Sequence, residues 1–191
     1  NNITREIGAG IQLDGLLTGN DRLQLKGGYF GTDARNYIAT RVDMKRMRSY
    51  SYNVSRARIW GWDMQGNYQS DYFDWMLSYN RTESMDASSR EWLGSGNPDT
   101  LISDISIPVG HGGVSAGWRA ELSAAATHVK KGDPHQAGYA VHSFSLSYKP
   151  VSVKGFEASV TLDNAFNKLA MNGKGVPLSG RTVSLYTRYQ W

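Results

Sequence analysis

The sequence predicts an all-β chain: antiparallel strands, each with one apolar and one polar face, forming part of a transmembrane barrel. Three observations predict it. Period-2 alternation recurs along the chain, and a strand turns successive side chains to opposite faces. The composition, with 21 Gly, 11 Tyr and 6 Trp among 191 residues, suits strands and turns better than helices. No apolar run approaches the roughly 20 residues that a membrane helix needs. The mean hydropathy of −0.49 excludes helical spanning but not a barrel, whose strands are only half apolar.

The last segment shows the pattern most clearly. In GRTVSLYTRYQW, Val183, Leu185, Thr187, Tyr189 and Trp191 share one parity, and Thr182, Ser184, Tyr186, Arg188 and Gln190 share the other. The apolar row ends on two aromatics, as expected where lipid meets water in an outer-membrane barrel. Taken alone, this segment suits a half-buried soluble strand equally well.

In chain order, Ile7, Ala9, Ile11 and Leu13 alternate with polar residues and Gly, and Thr18 to Asp21 reads as a tight turn. Leu23, Leu25, Gly27 and Tyr29 form the next apolar row. A polar stretch of roughly 34–52 reads as a loop. Trp60, Trp62 and Met64 mark a strand over about 53–67. After a turn at Gln69 to Asp71, Phe73, Trp75, Leu77 and Tyr79 mark another. A Ser/Gly/Asp-rich segment of roughly 83–109 reads as a long loop. Val114, Ala116 and Trp118 follow, then a tight turn, then a weakly alternating strand from Leu122 to Val129. Rows at Ala140 to Tyr148, Phe156 to Leu162 and the C-terminus complete about nine strands.

Two regularities go beyond strand content. Short and long connections alternate, matching the short periplasmic turns and long extracellular loops of outer-membrane barrels. The apolar rows carry no Asp, Glu or Lys, and one Arg, Arg58, near a strand end. A mid-bilayer charge costs roughly 2–4 kcal/mol. Bacterial single-chain barrels close on an even number of strands, so an odd count ending in the periplasm is expected of the C-terminal portion of a larger barrel, a missed strand before Ile7 being the rival explanation.

Net charge is +4 without a Lys/Arg tract of the kind that marks a nucleic-acid surface, so no nucleic-acid partner is expected. There is no Cys, hence no disulfide and no thiolate metal site. His142 shares a face with Phe144, whereas Ser143 and Ser145 face the other way, so no nucleophile–base pair forms. No G-x-S-x-G is present, and no enzyme activity is expected.

Several stretches resemble the C-terminal barrel of TonB-dependent outer-membrane receptors. Val160 to Lys168, with Asn164 and Phe166, is similar to the family's penultimate-strand signature. Gly180-Arg181 and the strand to Trp191 resemble its ending, with Trp in the usual Phe position. Gly138 to Pro150, Ala57 to Asp63 and Leu23 to Ile38 resemble further strands, with His142 near a frequent Asp position. The resemblance implies a plugged barrel of about 22 strands, of which residues 1–191 supply the last nine or so, with the plug and the TonB-contacting segment lying upstream. It implies an outer-membrane location and TonB-dependent uptake of an iron-bearing ligand, haem or a ferric siderophore, with no intrinsic cofactor. GLLTGNDRLQLKGGYF is most similar to the haem and haemophore branch. In that branch a haem-ligand His lies upstream of this stretch, so it has no counterpart here. Expected partners are the TonB complex, outer-membrane lipid and lipopolysaccharide, and a haemophore or haem protein.

Candidate ligand contacts follow from chemistry. His111, His128 and His135 fall in or beside expected extracellular loops, and neutral imidazole ligates haem or metal; an ordinary exposed His is the competing reading, and His111 and His135 are retained as candidates. Arg41, Arg46 and Arg48, with Arg35 and Lys45, suit carboxylates such as haem propionates, or anionic lipopolysaccharide, or plain solvation. Tyr37, Tyr50, Tyr52 and Trp92 either stack on a flat ligand or pack the loops. Two other readings stay open: a small self-contained outer-membrane pore or adhesin, and a soluble β-sandwich binding module.

Overall fold

The computed structural model describes residues 2–43, 46, 48–94, 98–131, 135–171 and 176–191, with the backbone alone for 41–43. The strands are β1 (Asn2–Asp14), β2 (Arg22–Asp43), β3 (Arg48–Gln69), β4 (Asp74–Asp86), β5 (Thr100–Val109), β6 (Val114–Ser123), β7 (Tyr139–Tyr148), β8 (Phe156–Asp163) and β9 (Thr182–Tyr189). They form one nine-stranded antiparallel sheet in chain order, with β1 and β9 at its edges. Among the described residues no second layer covers the apolar face: Leu185 is 73% exposed and Trp75 38%. A sandwich needs two sheets whose inner faces interdigitate, so the soluble-sandwich reading fails.

The register explains why the wall has two characters. One unbroken row crosses all nine strands: Leu13, Leu23, Tyr68, Trp75, Ile105, Trp118, Phe144, Leu162 and Val183. One residue along, the row on the other face runs Gln12, Gln24, Asn67, Met76, Asp104, Arg119 and Ser143. A one-residue slip would exchange the two faces entirely, so the apolar row pins the register. The row starts near the end of β1 and finishes near the start of β9, which is the stagger that tilted barrel strands require.

Connections 15–21, 70–73, 110–113 and 149–155 are short; 87–99, 124–138 and 164–181, at the opposite end, are long. The β2–β3 connection is short, but its strands are long. Each has 22 residues, against the ~9–11 that cross a bilayer, so the hairpin stands well above the wall on the long-loop side.

Three expectations are corrected here. The polar stretch 34–52 is strand on both arms, because its polarity marks height above the hydrocarbon and not loss of pairing. Segment 83–109 contains the end of β4 and all of β5; Ile102, Asp104 and Pro108 blur its alternation, yet Leu101, Ile105, Ile107 and Val109 hold the outward face. The turn before Leu122 does not exist. β6 runs through Arg119 and Glu121, whose charges are met across the polar face by Asp104 at 3.2 Å and by the Tyr139 hydroxyl at 3.0 Å. The strand expected over 122–129 is therefore the end of β6 plus loop. The missed strand and the split strand offset each other, which is why nine is still the count.

Candidate functional site

The long-loop end carries the raised hairpin and loops 87–99, 124–138 and 164–181. Its framework is the raised β2–β3 hairpin. Strict alternation would separate Ala34 and Ala57 from Ala39 and Val54, yet all four share one buried cluster, packed by Tyr37, Tyr52 and Leu93. The break in alternation falls at Asn36, whose φ of +55° is the left-handed conformation that Asn tolerates better than most residues. The ladder pairs Arg35 with Arg56 and Tyr37 with Val54 on either side of it.

Two long loops lean on this hairpin. From loop 124–138, Lys130 Nζ donates to the Tyr52 hydroxyl at 2.6 Å and lies 4.0 Å from the Tyr52 ring centroid. From loop 87–99, Leu93 packs against the hairpin's buried cluster, and its amide donates to the Ser84 carbonyl of β4 at 2.9 Å. A second chain of contacts runs through the same loops. Trp60 meets Trp92 at 5.9 Å, and Trp92 stacks on His128 at 4.1 Å with planes 6° apart. His128 Nδ1 lies 3.0 Å from Glu83. A carboxylate only accepts, so Nδ1 carries the proton. Glu83 also pairs with Arg81, Arg81 with Asp99 at 3.4 Å, and Asp99 accepts from the Tyr79 hydroxyl at 3.0 Å. The cavity beside these groups measures about 170 Å³, below the ~300–1,000 Å³ of small-molecule sites. These loop aromatics, together with His128, brace the loops.

The retained candidates divide. Arg48 is exposed on β3 opposite Asp43, Arg41 stands on β2 opposite Tyr50, and Arg46 is exposed between the two arms; the hairpin brings all three to one apex. Lys45 lies outside the described residues. His135 is exposed in loop 124–138, beside the Ala126–Gln136 bridge, at the same end of the wall. His111 does not join them. It sits in the short turn 110–113, at the far end. The cause is the overlooked β5: one missed strand inverts the end at which the next turn emerges.

The wall's outward face differs from expectation at this end. The same parity that carries the apolar row continues upward through Arg5, Asp33, Arg58, Arg81 and Glu83. His142 lies lower on that face, stacked with Trp118 at 5.8 Å and edge-on to Phe166 at 5.5 Å. Ser143 on the opposite face accepts from the Asn164 amide at 3.3 Å.

The residues of the penultimate-strand signature form a clasp. Asn164 is buried, with φ +47°. Its Nδ2 donates to the carbonyls of Lys168 at 3.0 Å and Ser179 at 2.9 Å, and its Oδ1 accepts from the Lys168 amide at 2.7 Å. Asn167 Oδ1 accepts from the Arg181 amide at 3.0 Å. A Cβ added at Gly180 would stand 3.1 Å from that oxygen. Phe166 caps the His142 and Phe144 rings outside. One side chain thus ties both ends of loop 164–181 to the top of β8.

The family model described as TonB dependent receptor-like, beta-barrel matches residues 3–167. The chain belongs to the TonB-dependent receptor β-barrel family. Members of this family are outer-membrane proteins, and the short turns of the wall therefore face the periplasm. A relative named Hemin receptor from Yersinia pestis is 41% identical over 191 residues, covering 100% of this chain and 28% of that protein. The Hemin receptor of Yersinia enterocolitica is 38% identical, with 29% of its length covered. The chain thus spans less than a third of the length of these relatives. Among solved structures, the Copper transporter OprC superposes with a TM-score of 0.78 at 20% identity, over 98% of this chain and 31% of that one. The pyoverdine receptor FpvA of Pseudomonas aeruginosa gives 0.68 at 15%, over 100% and 30%. At these identities the structures speak for the fold alone. The relatives are transport receptors, not enzymes.

Proposed function

We propose that this chain is the C-terminal wall and loop surface of a receptor that takes up an iron-bearing ligand across the outer membrane, haem before ferric siderophore. The observation that carries the reading is the 41% identity to a Hemin receptor, which extends over the whole chain, loops included. The wall holds no cofactor of its own in this reading; haem is cargo. A plug and a TonB contact, supplied by segments outside this stretch, do the energised step, as the family implies. Arg41, Arg46 and Arg48 at the hairpin apex, with His135 on the neighbouring loop, meet the ligand first, because guanidinium forks suit its carboxylates. Lipopolysaccharide and a haemophore or haem protein complete the proposed partners.

The test is growth on a sole iron source. The whole receptor carrying this chain is expressed in a strain without its own haem and siderophore receptors. Growth on haem that disappears when TonB is deleted is expected. Growth on a ferric siderophore and not on haem would reassign the ligand, and growth without TonB would overturn the mechanism.

A further inference from the structure

The outward face holds a groove that uptake does not explain. Gly31, with no side chain, lies between Arg5 of β1 and Trp60 of β3. It leaves a cavity of about 540 Å³ walled by Ile7, Tyr29, Trp60 and Met85, with Arg5, Arg58, Glu6 and Asp33 at its margin. A second groove, about 510 Å³, lies further down the same face over Gly27 and Gly66, between Ala9, Ile11, Leu25 and Leu77. The two meet in register, since Ile7 pairs with Tyr29 and Ala9 with Gly27.

The charges above the groove are out of balance. Asp33 Oδ1 accepts from Arg58 Nε at 3.4 Å and from Arg56 Nη2 at 3.5 Å. No other ion pair among the described residues reaches Arg5, Arg35, Arg56 or Arg58. Arg35 and Arg56 stand directly opposite each other on the ladder, a like-charge pair that destabilises a sheet unless something neutralises it. Asp33 thus meets two of the four guanidiniums, Arg56 and Arg58, and Glu6 is the other carboxylate residue on the cavity's lining. Depth fits as well: Asp33 stands about ten residues up β2 from Leu23, the length of strand that crosses the hydrocarbon.

We propose that this groove binds a phosphorylated lipid of the outer leaflet, the lipid A part of lipopolysaccharide. A phosphate sits on Arg5 and Arg58, and an acyl chain runs down over Gly31 towards Gly27 and Gly66. Guanidinium matches phosphate in charge and geometry, and the apolar trough below takes the chain that a soluble anion lacks. The inference rests on the wall spanning the outer membrane, and not on which ligand is transported.

The test uses the whole receptor, purified in detergent and stripped of lipid, with diphosphoryl lipid A as the probe and haem binding measured alongside. R5E/R58E is expected to weaken lipid A binding on the order of tenfold or more. Gly31→Leu, which fills the trough and leaves the charges, is expected to weaken it too. Lys154→Glu, in a periplasmic turn, should leave it unchanged, and dephosphorylated lipid A should bind weakly to all forms. Should the charge reversal prevent folding, seen as loss of the barrel's heat-dependent shift on a gel, Gly31→Leu gives the answer. Lipid A binding equal to the parent in the folded variants overturns the proposal. So does phosphatidylglycerol binding as tightly as lipid A, which marks a general attraction for anionic lipid. Lipid A binding that follows the variants in a receptor unable to bind haem supports the groove and counts against haem as cargo.

Discussion

Asn164 and Asp21 each hold one end of the wall in place. Asn164 combines a left-handed backbone with three side-chain hydrogen bonds to main chain in a buried site. Asn164→Ala strands those groups and adds backbone strain, an expected loss of about 2–4 kcal/mol, checked by the urea midpoint of refolding into lipid vesicles. An unchanged midpoint would remove the clasp from the account. Asp21 closes the first periplasmic turn. Its carboxylate accepts from the Leu17 amide at 3.0 Å and the Thr18 amide at 3.0 Å, while its carbonyl accepts from the Gly15 amide at 2.8 Å. Burial by itself pushes the carboxyl up; the Thr18 and Leu17 amides and the Tyr68 hydroxyl outweigh it and hold it below its ordinary value. A carboxylate with a lowered folded value stabilises fully above its unfolded value, and the benefit disappears as pH falls through the lowered one. Protection of the Leu17 and Thr18 amides, corrected for intrinsic exchange, should therefore hold at neutral pH and fall in acid. Asp21→Asn should abolish that pH dependence.

At the level of strands, the two faces differ by one residue of register, and this gives the sharpest substitution test. Leu185→Arg places a charge on the hydrocarbon side and should cost roughly 2–4 kcal/mol if near the midplane. Ser184→Arg, one residue away on the polar face, should cost little. Equal penalties would mean both faces share one environment. The same parity rule explains what was legible beforehand. β4 as far as Tyr79, β7, β8 and β9 could be read directly because each keeps mainly aliphatic and aromatic side chains on one side. β5 was hidden because Ile102 faces the polar side and Pro108 lies near its end. The upper arms of β2 and β3 were hidden because strands above the bilayer have no reason to be apolar. His111 was misplaced for a topological reason, not a chemical one. The Asn164, Phe166, Gly180 and Arg181 signature was visible as a pattern, but its use as a clasp needed coordinates, since Lys168 and Ser179 meet Asn164 through main-chain atoms that no sequence pattern marks. The loop contacts of Lys130 with Tyr52 and His128 with Glu83 join residues 78 and 45 positions apart, too far for any local spacing to reveal.

For the molecule as a whole, the sheet is a wall with an inside and an outside, and each reading depends on which is which. Uptake needs the polar row, Gln12 through Ser143, to line the lumen. The lipid A groove needs Gly31 and Arg58 to face the leaflet. This chain carries no Cys, so nitroxide labels can be placed on cysteines introduced singly at Leu146, Leu185, Ser145 and Ser184 in the receptor reconstituted in bilayers, with any cysteine in its other segments replaced. Labels at 146 and 185 should relax with oxygen and be shielded from a water-soluble nickel complex, while labels at 145 and 184 should show the opposite preference. The opposite assignment, or shielding of 146 and 185 from both reagents, would contradict a lipid-facing wall and with it the uptake and lipid readings alike.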